Sequence, residues 1–403
     1  MSVDSANSDE IVCSLVVILS LRCNLSCTYC NVEAGPSVEG EMGLVLFEQW
    51  LKAFLDIDCL SLSVQLHGGE PLALKTDVEW YARVARNTFA QYPSWKYRGM
   101  GLVTNGSLLD DARAKRLTRA GVQMQVSVDG PELIHNSRRI NESGRGNHKG
   151  AMHAVELINH YQSSTGIISV ITNPDEVLPA VNFFIESGIS AVKMNPMRPE
   201  GRALVIPGWR QRKDEPAMRP MAQMYLAAAK RIAEHNRAHP NQPFYEDNIF
   251  SLVSRIAEKQ SGGPRANEQS SNWTLLLDEN GSLWGHPGAQ GIDGMRLAEG
   301  KPATSETIRA ALGLVDESDK KISPSVQVAT KRRATFQPCA NCNEPEWCSR
   351  FAPPIAVLDN VPNPTCEWRN ELTDLLSDWL DAEPEAMRHL LYPYLDGDFT
   401  SSY

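Results

Sequence analysis

Short β-branched runs alternate with helix-period segments through the first half of this chain. Residues 14–20 (Ser-Leu-Val-Val-Ile-Leu-Ser) are a continuous apolar run of strand length, the pattern of a strand buried on both faces. Apolar spacing near 3.6 predicts helices over 44–55, 78–89 and 110–120, and β-rich runs predict strands over 60–66, 97–103 and 122–128. The alternation continues with a helix over 148–160, a strand over 166–172, a helix over 175–187 and a strand over 191–195. Repeated strand–helix units of this kind build a parallel α/β sheet. Six units are too few for a closed eight-stranded barrel.

After the sixth strand the pattern changes. Residues 199–219 are rich in Pro and Arg and read as a long loop, followed by amphipathic helices over 221–236 and 247–259. A Ser-, Gly- and Asn-containing stretch over 261–271 reads as a linker. Strand-like runs 273–278 and 282–284 flank Glu279-Asn280-Gly281, a hairpin signal. Near the end, Leu372, Leu375, Leu376, Trp379 and Leu380 have the spacing of a helix packed on the body. These shifts divide the chain into 10–240, a helix and linker over 241–271, and a C-terminal unit over 272–403.

With 49 acidic against 39 basic residues the net charge is −10, a poor balance for binding nucleic acid. No apolar run approaches the ~18 residues of a membrane span, and the early run is preceded by Asp4, Asp9 and Glu10 rather than by basic residues. A cytoplasmic protein with no membrane and no nucleic-acid partner is expected. No Gly-x4-Gly-Lys phosphate loop and no nucleophile–His–Asp arrangement is visible.

The cysteines change the picture. Cys23, Cys27 and Cys30 form one cluster, Cys339, Cys342, Cys348 and Cys366 another, with Cys13 and Cys59 apart as small buried hydrophobes. An odd count of nine without an export signal argues against a disulfide framework. Four thiolates suit a structural zinc ion, which competes for the C-terminal set. The N-terminal three leave an open position, a natural property of a 4Fe–4S cluster with one free iron. They also follow the first strand directly, where α/β barrels place their chemistry.

Cys23-x3-Cys27-x2-Cys30, with Tyr29 before the last cysteine, resembles the cluster motif of the radical S-adenosylmethionine (SAM) superfamily. Three further motifs, each at the end of a successive strand, carry the resemblance: His67-Gly68-Gly69-Glu70-Pro71, Val103-Thr104-Asn105-Gly106, and Val126-Ser127-Val128-Asp129-Gly130-Pro131. His135-Asn136-Ser137-Arg138-Arg139 is similar to the family's His-Asp-x-x-Arg, with Asn136 in place of Asp. The resemblance implies a partial (β/α)6 TIM-type barrel with the 199–219 loop over its mouth. It implies that Gly68, Gly69, Glu70 and Pro71 receive the amino group of SAM, that Ser127 and Asp129 reach its carboxylate and ribose, that Tyr29 lies against the adenine, and that Thr104, Asn105 and Arg139 complete the SAM site.

The C-terminal cysteines resemble the SPASM extension of peptide-modifying relatives, which carries two auxiliary 4Fe–4S clusters. Here the pattern departs. The cysteine position after Gly281 is His286, no cysteine lies upstream in 265–271, and the fourth position of the central motif is Ala352. The ligands of the first auxiliary cluster are thus missing together. Cys339, Cys342, Cys348 and Cys366 are what the family uses for the second, so one auxiliary cluster is expected, alongside the SAM-binding one.

The resemblance implies that an electron from the first cluster cleaves SAM, and that the 5′-deoxyadenosyl radical takes a hydrogen from the substrate. Sulfatase maturases look similar along most of the chain. They use both auxiliary clusters and an Asp base where this chain has Pro287. A ribosomally made precursor peptide is therefore the expected partner, with flavodoxin or ferredoxin as electron donor. The expected reaction is a cyclophane-type C–C crosslink: a side-chain carbon radical adds to an aromatic ring, which then loses a proton and passes an electron to the auxiliary cluster. Formylglycine formation and thioether formation are the alternatives. Lys331-Arg332-Arg333 is a solvated loop or a contact for an acidic leader.

Overall fold

In the computed structural model, the described residues are 10–197, 201–205, 219–261, 272–285, 296–300, 304–312, 314 and 364–395. Seven parallel strands run in sequence order across one sheet: β1 (Ile11–Ile18), β2 (Leu60–His67), β3 (Tyr97–Thr104), β4 (Val122–Ser127), β5 (Gly166–Ile171), β6 (Ala191–Pro196) and β7 (Tyr245–Glu246). Helices α1 (Leu44–Leu55), α2 (Val78–Phe89), α3 (Asp111–Arg119), the short α4 (Glu132–Asn136), α5 (His148–Tyr161) and α6 (Val177–Glu186) connect the first six. The first six strands and their helices stand as the periodicity predicts, within a few residues at each end. The two-residue β7 is new; it is too short to leave an alternation in the sequence.

Beyond β6 come α7 (Arg219–Ala238) and α8 (Asp247–Gln260), then β8 (Asn272–Leu277), which returns to pair in parallel with β1 on the opposite edge from β7. Antiparallel β9 (Leu283–Trp284) and β10 (Arg296–Ala298) extend that edge. The predicted hairpin between β8 and β9 is held by Asp278, whose carboxylate accepts the Ser282 N–H at 2.8 Å and the Trp284 indole N–H at 2.8 Å. Gly281 supplies the left-handed turn, φ +79°. After α9 (Ser305–Ala311), helices α10 (Pro364–Ala382) and α11 (Pro384–Leu395) pack on α7 and α8. Trp368 stacks near Tyr225 with ring centroids 4.9 Å apart, and Leu372, Leu376 and Leu380 are buried, as the tail spacing predicts. Among the described residues no helix is long and apolar enough to cross a membrane.

Strand alternation sorts the two faces of the sheet. Leu15 and Val17 on β1, Val64 and Leu66 on β2, Met124 and Val126 on β4, and Val192 and Met194 on β6 belong to the main core against the helices. On β2, β4 and β6 the other face carries Gln65, His67, Gln125, Ser127, Lys193 and Asn195 instead, with Val16 and Ile18 of β1 and Ile168 and Val170 of β5 alongside them. Gln65 donates to Gln125 across β3 at 2.9 Å, where Gly101 of the intervening strand leaves room. Lys193 is paired with Asp247 at 2.7 Å. A polar inner wall of this kind is what an open barrel needs to admit a ligand, whereas a closed barrel fills its interior with apolar layers.

Candidate functional site

All seven strands point the same way, so the loops after β1, β2, β3 and β4 meet at one rim. The cysteine loop is built by extending the β1–β2 ladder past the strands. Leu19 N–H bonds His67 C=O at 2.9 Å, Gly69 N–H bonds Ser20 C=O at 2.8 Å, and Glu70 N–H bonds Arg22 C=O at 2.9 Å. The glycine pair permits this close approach. A Cβ on Gly68 (φ +145°) would stand 2.3 Å from the Ser20 carbonyl, and one on Gly69 would stand 2.4 Å from that of Arg22. The motif's glycines are thus required by backbone against backbone before any ligand is considered.

Glu70 turns away from the loop to hold the next strand end. Its buried carboxylate accepts Leu72 N–H at 2.9 Å, Thr104 Oγ1–H at 2.8 Å and Asn105 N–H at 2.6 Å, and Pro71 follows as the first residue of a one-turn 3-10 helix. Burial pushes the carboxyl above its ordinary value against the pull of these donors. Asn105 then reaches back: its side-chain N–H groups contact Asn24 Oδ1 at 2.9 Å and Cys23 Sγ at 3.9 Å. Its backbone carbonyl is held by Asn147, which is bonded in turn to His135 at 2.8 Å. His135 is fully buried and lowered to about 4 by that burial and by the nearby Arg139 charge, so it is a neutral link.

Asp129 is the hub on the fourth strand's side. Both its oxygens are taken up by protein donors: Tyr29 O–H at 2.5 Å, Arg139 Nε at 2.9 Å, a second Arg139 nitrogen at 3.0 Å and Val170 N–H at 2.9 Å. Asp129, Arg139 and Tyr29 are all buried, with the guanidinium 5.4 Å from the tyrosine ring centroid. Burial alone would raise the Asp129 carboxyl, but the Arg139 charge and these hydrogen bonds outweigh it and hold it below its ordinary value. Ser127 lies on the inner face of β4, almost buried.

The three cysteines are unbridged. Cys23 is buried, while Cys27 and Cys30 are half-buried. Leu25 N–H points at Cys23 Sγ at 3.4 Å and Ala34 N–H at Cys30 Sγ at 3.3 Å. Burial pushes the Cys23 thiol up to about 12, and Glu70 and the two neighbouring cysteines add to the shift. Among the described residues no three Cys, His, Asp or Glu groups converge on a position for a single metal ion.

A further element closes the loop from the far side. Gly201–Val205, a 3-10 turn after β6, lies against it. Arg202 donates its backbone N–H to Cys30 C=O at 2.9 Å, Nε to Cys27 C=O at 2.9 Å and a terminal nitrogen to Ala34 C=O at 2.6 Å. In the sequence this region reads only as a Pro- and Arg-rich loop. A side chain that recognises backbone carbonyls leaves no motif, so nothing in the sequence marks Arg202.

Residues 17–184 match the model of the radical SAM superfamily. This stretch is a radical SAM domain. A cysteine-type anaerobic sulfatase-maturating enzyme of Clostridium perfringens is 30% identical over 165 residues, covering 40% of this chain and 44% of the relative. The chain spans about half the length of the curated relatives it matches. Among solved structures, anSMEcpe with bound AdoMet and a peptide superposes with a TM-score of 0.69 at 18% identity, over 93% of this chain and 99% of that one. Streptococcus suis SuiB bound to precursor peptide SuiA gives 0.52 at 14% identity, over 77% and 66%. At those identities the two structures establish the fold alone, a partial α/β barrel.

The radical SAM domain brings Cys23, Cys27, Cys30, Tyr29, Gly68, Gly69, Glu70, Pro71, Thr104, Asn105, Ser127, Asp129 and Arg139 to one rim. Its cysteine loop suits a cubane: such a cluster takes one thiolate per iron, so its ligands stand around it rather than meeting at one point, and N–H groups aimed at sulfur favour the thiolate form. Cys339, Cys342 and Cys348 lie outside the described residues, as do His286, Pro287, Ala352 and Lys331-Arg332-Arg333. Cys366 falls in the first turn of α10, with its side chain outside them too.

Proposed function

We propose that this chain is a radical SAM enzyme that oxidatively modifies a peptide. Cys23, Cys27 and Cys30 hold a 4Fe–4S cluster whose open iron takes SAM, and Cys339, Cys342, Cys348 and Cys366 hold one auxiliary 4Fe–4S cluster. The observation that carries this is the cysteine loop itself: three unbridged thiols fastened from β2, β4 and residues 201–205, beside a polar inner wall. When bound, the cluster and SAM supply a primary carbon radical that removes a hydrogen atom from the substrate.

The chain's own residues divide into two groups. Tyr29, Asp129 and Arg139 satisfy one another and shape the loop, leaving Asp129 without a lone pair to offer a ribose. Ser127 and the half-buried backbone at Gly68 and Gly69 remain to meet SAM directly, while the Asn105 amide is itself held between Asn24, Cys23 and Ser107. The inner wall of Gln65, His67, Gln125 and Asn195 offers donors and acceptors along which an extended peptide is oriented, and the barrel excludes water from the radical. A precursor peptide joined by a cyclophane-type crosslink is the favoured substrate and product, with flavodoxin or ferredoxin supplying electrons. The matched sulfatase-maturating relatives support formylglycine formation as the second reading.

Replacing Cys23, Cys27 and Cys30 together by alanine should abolish 5′-deoxyadenosine production with dithionite; continued production defeats the assignment. Co-expression with the cognate peptide and tandem mass spectrometry should show loss of two hydrogens at a linked pair of residues. An unchanged peptide together with conversion of a sulfatase cysteine or serine to formylglycine transfers the assignment to the second reading.

A further inference from the structure

We propose that Arg202 is a positioning residue that clamps the cysteine loop and, through a charge that no carboxylate of the described residues neutralises, makes the cluster of that loop easier to reduce. This rests on the reading of Cys23, Cys27 and Cys30 as cluster ligands.

The clamp is geometric. Three donors of one residue reach three carbonyls, those of Cys27, Cys30 and Ala34, spanning the second half of the loop. Gly201 sets the approach, at φ +54°: a Cβ there would stand 2.5 Å from the carbonyl oxygens of both Cys30 and Asn31. Fully buried Ala203 packs on the other side with Tyr29, Met197 and Val170, so the turn cannot slide away.

The charge argument comes from comparing two arginines near Cys27. Arg202 sets its Nε 2.9 Å from the Cys27 carbonyl, and the Arg139 guanidinium stands 5.4 Å from the ring centroid of Tyr29, two residues on. Arg139 is neutralised by Asp129 through two hydrogen bonds of 2.9 and 3.0 Å. Arg202 spends its hydrogen bonds on carbonyls and has no carboxylate partner among the described residues. Arginine stays charged at every accessible pH. A one-electron reduction from the 2+ to the 1+ cluster adds a negative charge, which a nearby unpaired cation stabilises, and charge around a cluster is among the factors that set its potential.

The test is a mediated redox titration of the reconstituted full-length protein. It is followed by electron paramagnetic resonance of the signal that changes when SAM is added, which selects the cluster with the open iron. Arg202→Lys keeps the charge and loses the fork; Arg202→Gln loses both. In Arg202→Gln the SAM-responsive signal should half-reduce at a more negative potential than in the wild type. Arg202→Lys should titrate near the wild type yet release iron faster to a chelator. Loss of the SAM-responsive cluster in Arg202→Gln with retention in Arg202→Lys also supports the inference. Wild-type potential and wild-type chelator resistance in Arg202→Gln overturn it. A wild-type protein that takes up no SAM-responsive cluster overturns instead the assignment of the three cysteines.

Discussion

The Tyr29 hydroxyl donates to the Asp129 carboxylate at 2.5 Å across one hundred residues of chain. That bond joins the loop after the first strand to the end of the fourth, and Arg139 completes the joint from the turn just after α4. The loop is thereby tied to the sheet by side chains as well as by the extended β1–β2 ladder.

Asp129→Asn leaves Arg139 as an uncompensated buried cation, and removing one partner of a buried ion pair costs about 3–5 kcal/mol. A urea midpoint lowered at unchanged slope is the expected result. The wild-type contribution also depends on acid. The folded carboxyl lies below its unfolded value, so its stabilisation is present above the unfolded pKa of roughly 3.9 and is lost as pH falls through the folded one. The variant should lack that acid-side slope.

Gly69→Ala places a methyl 2.4 Å from the Arg22 carbonyl oxygen and 2.7 Å from its carbon, both of them backbone. Overpacking of this kind costs about 1–3 kcal/mol. The displaced segment leads straight into Cys23, so iron uptake on anaerobic reconstitution should fall along with the melting temperature. Gly43→Ala, where a Cβ meets nothing within 4 Å, serves as the neutral control.

Glu246 finishes an edge that β7 leaves short. The β6–β7 ladder ends at Val192 and Glu246; two residues on, the Glu246 carboxylate accepts Met194 N–H at 2.9 Å, and Tyr225 and Asn248 donate to Met194 C=O at 2.6 and 2.7 Å. Burial raises the carboxyl from an ordinary 4.5 to about 7. The folded chain therefore keeps a proton that the unfolded chain has released, and stability falls as pH rises from about 4.5 to about 7. In Glu246→Gln that slope should disappear from denaturation curves recorded across the window.

Lys96→Met tests a purely structural device. The buried ammonium donates to Leu55 C=O at 2.7 Å and Ile57 C=O at 2.6 Å, closing the C-terminus of α1. Unpaired buried acceptors cost about 1–3 kcal/mol. Stability should drop by that order, measured by thermal unfolding, while cluster uptake and SAM cleavage by the folded fraction stay unchanged.

The strands and helices of the parallel sheet were legible in the sequence, because a strand buried against helices must be apolar at alternate or successive positions and a covering helix must show its 3.6-residue stripe. The cysteine loop and the glycine motifs were legible for a related reason: cluster ligands and close backbone approaches each tolerate one residue type. What the tertiary structure alone decided is how those motifs are used. Glu70 and Asp129 stand in motifs that resemblance assigns to SAM, yet both carboxylates are engaged by the protein's own donors, which no local pattern reveals because their partners lie from two to forty-one residues away in the chain and up to one hundred for Tyr29. The return of β8 to the edge of β1, the sealing of β6 by the Glu246 side chain, and the grip of Arg202 on three carbonyls have the same origin. Backbone carbonyls and amides are present at nearly every position, so a contact made to them leaves no signature in the sequence until the chain has folded.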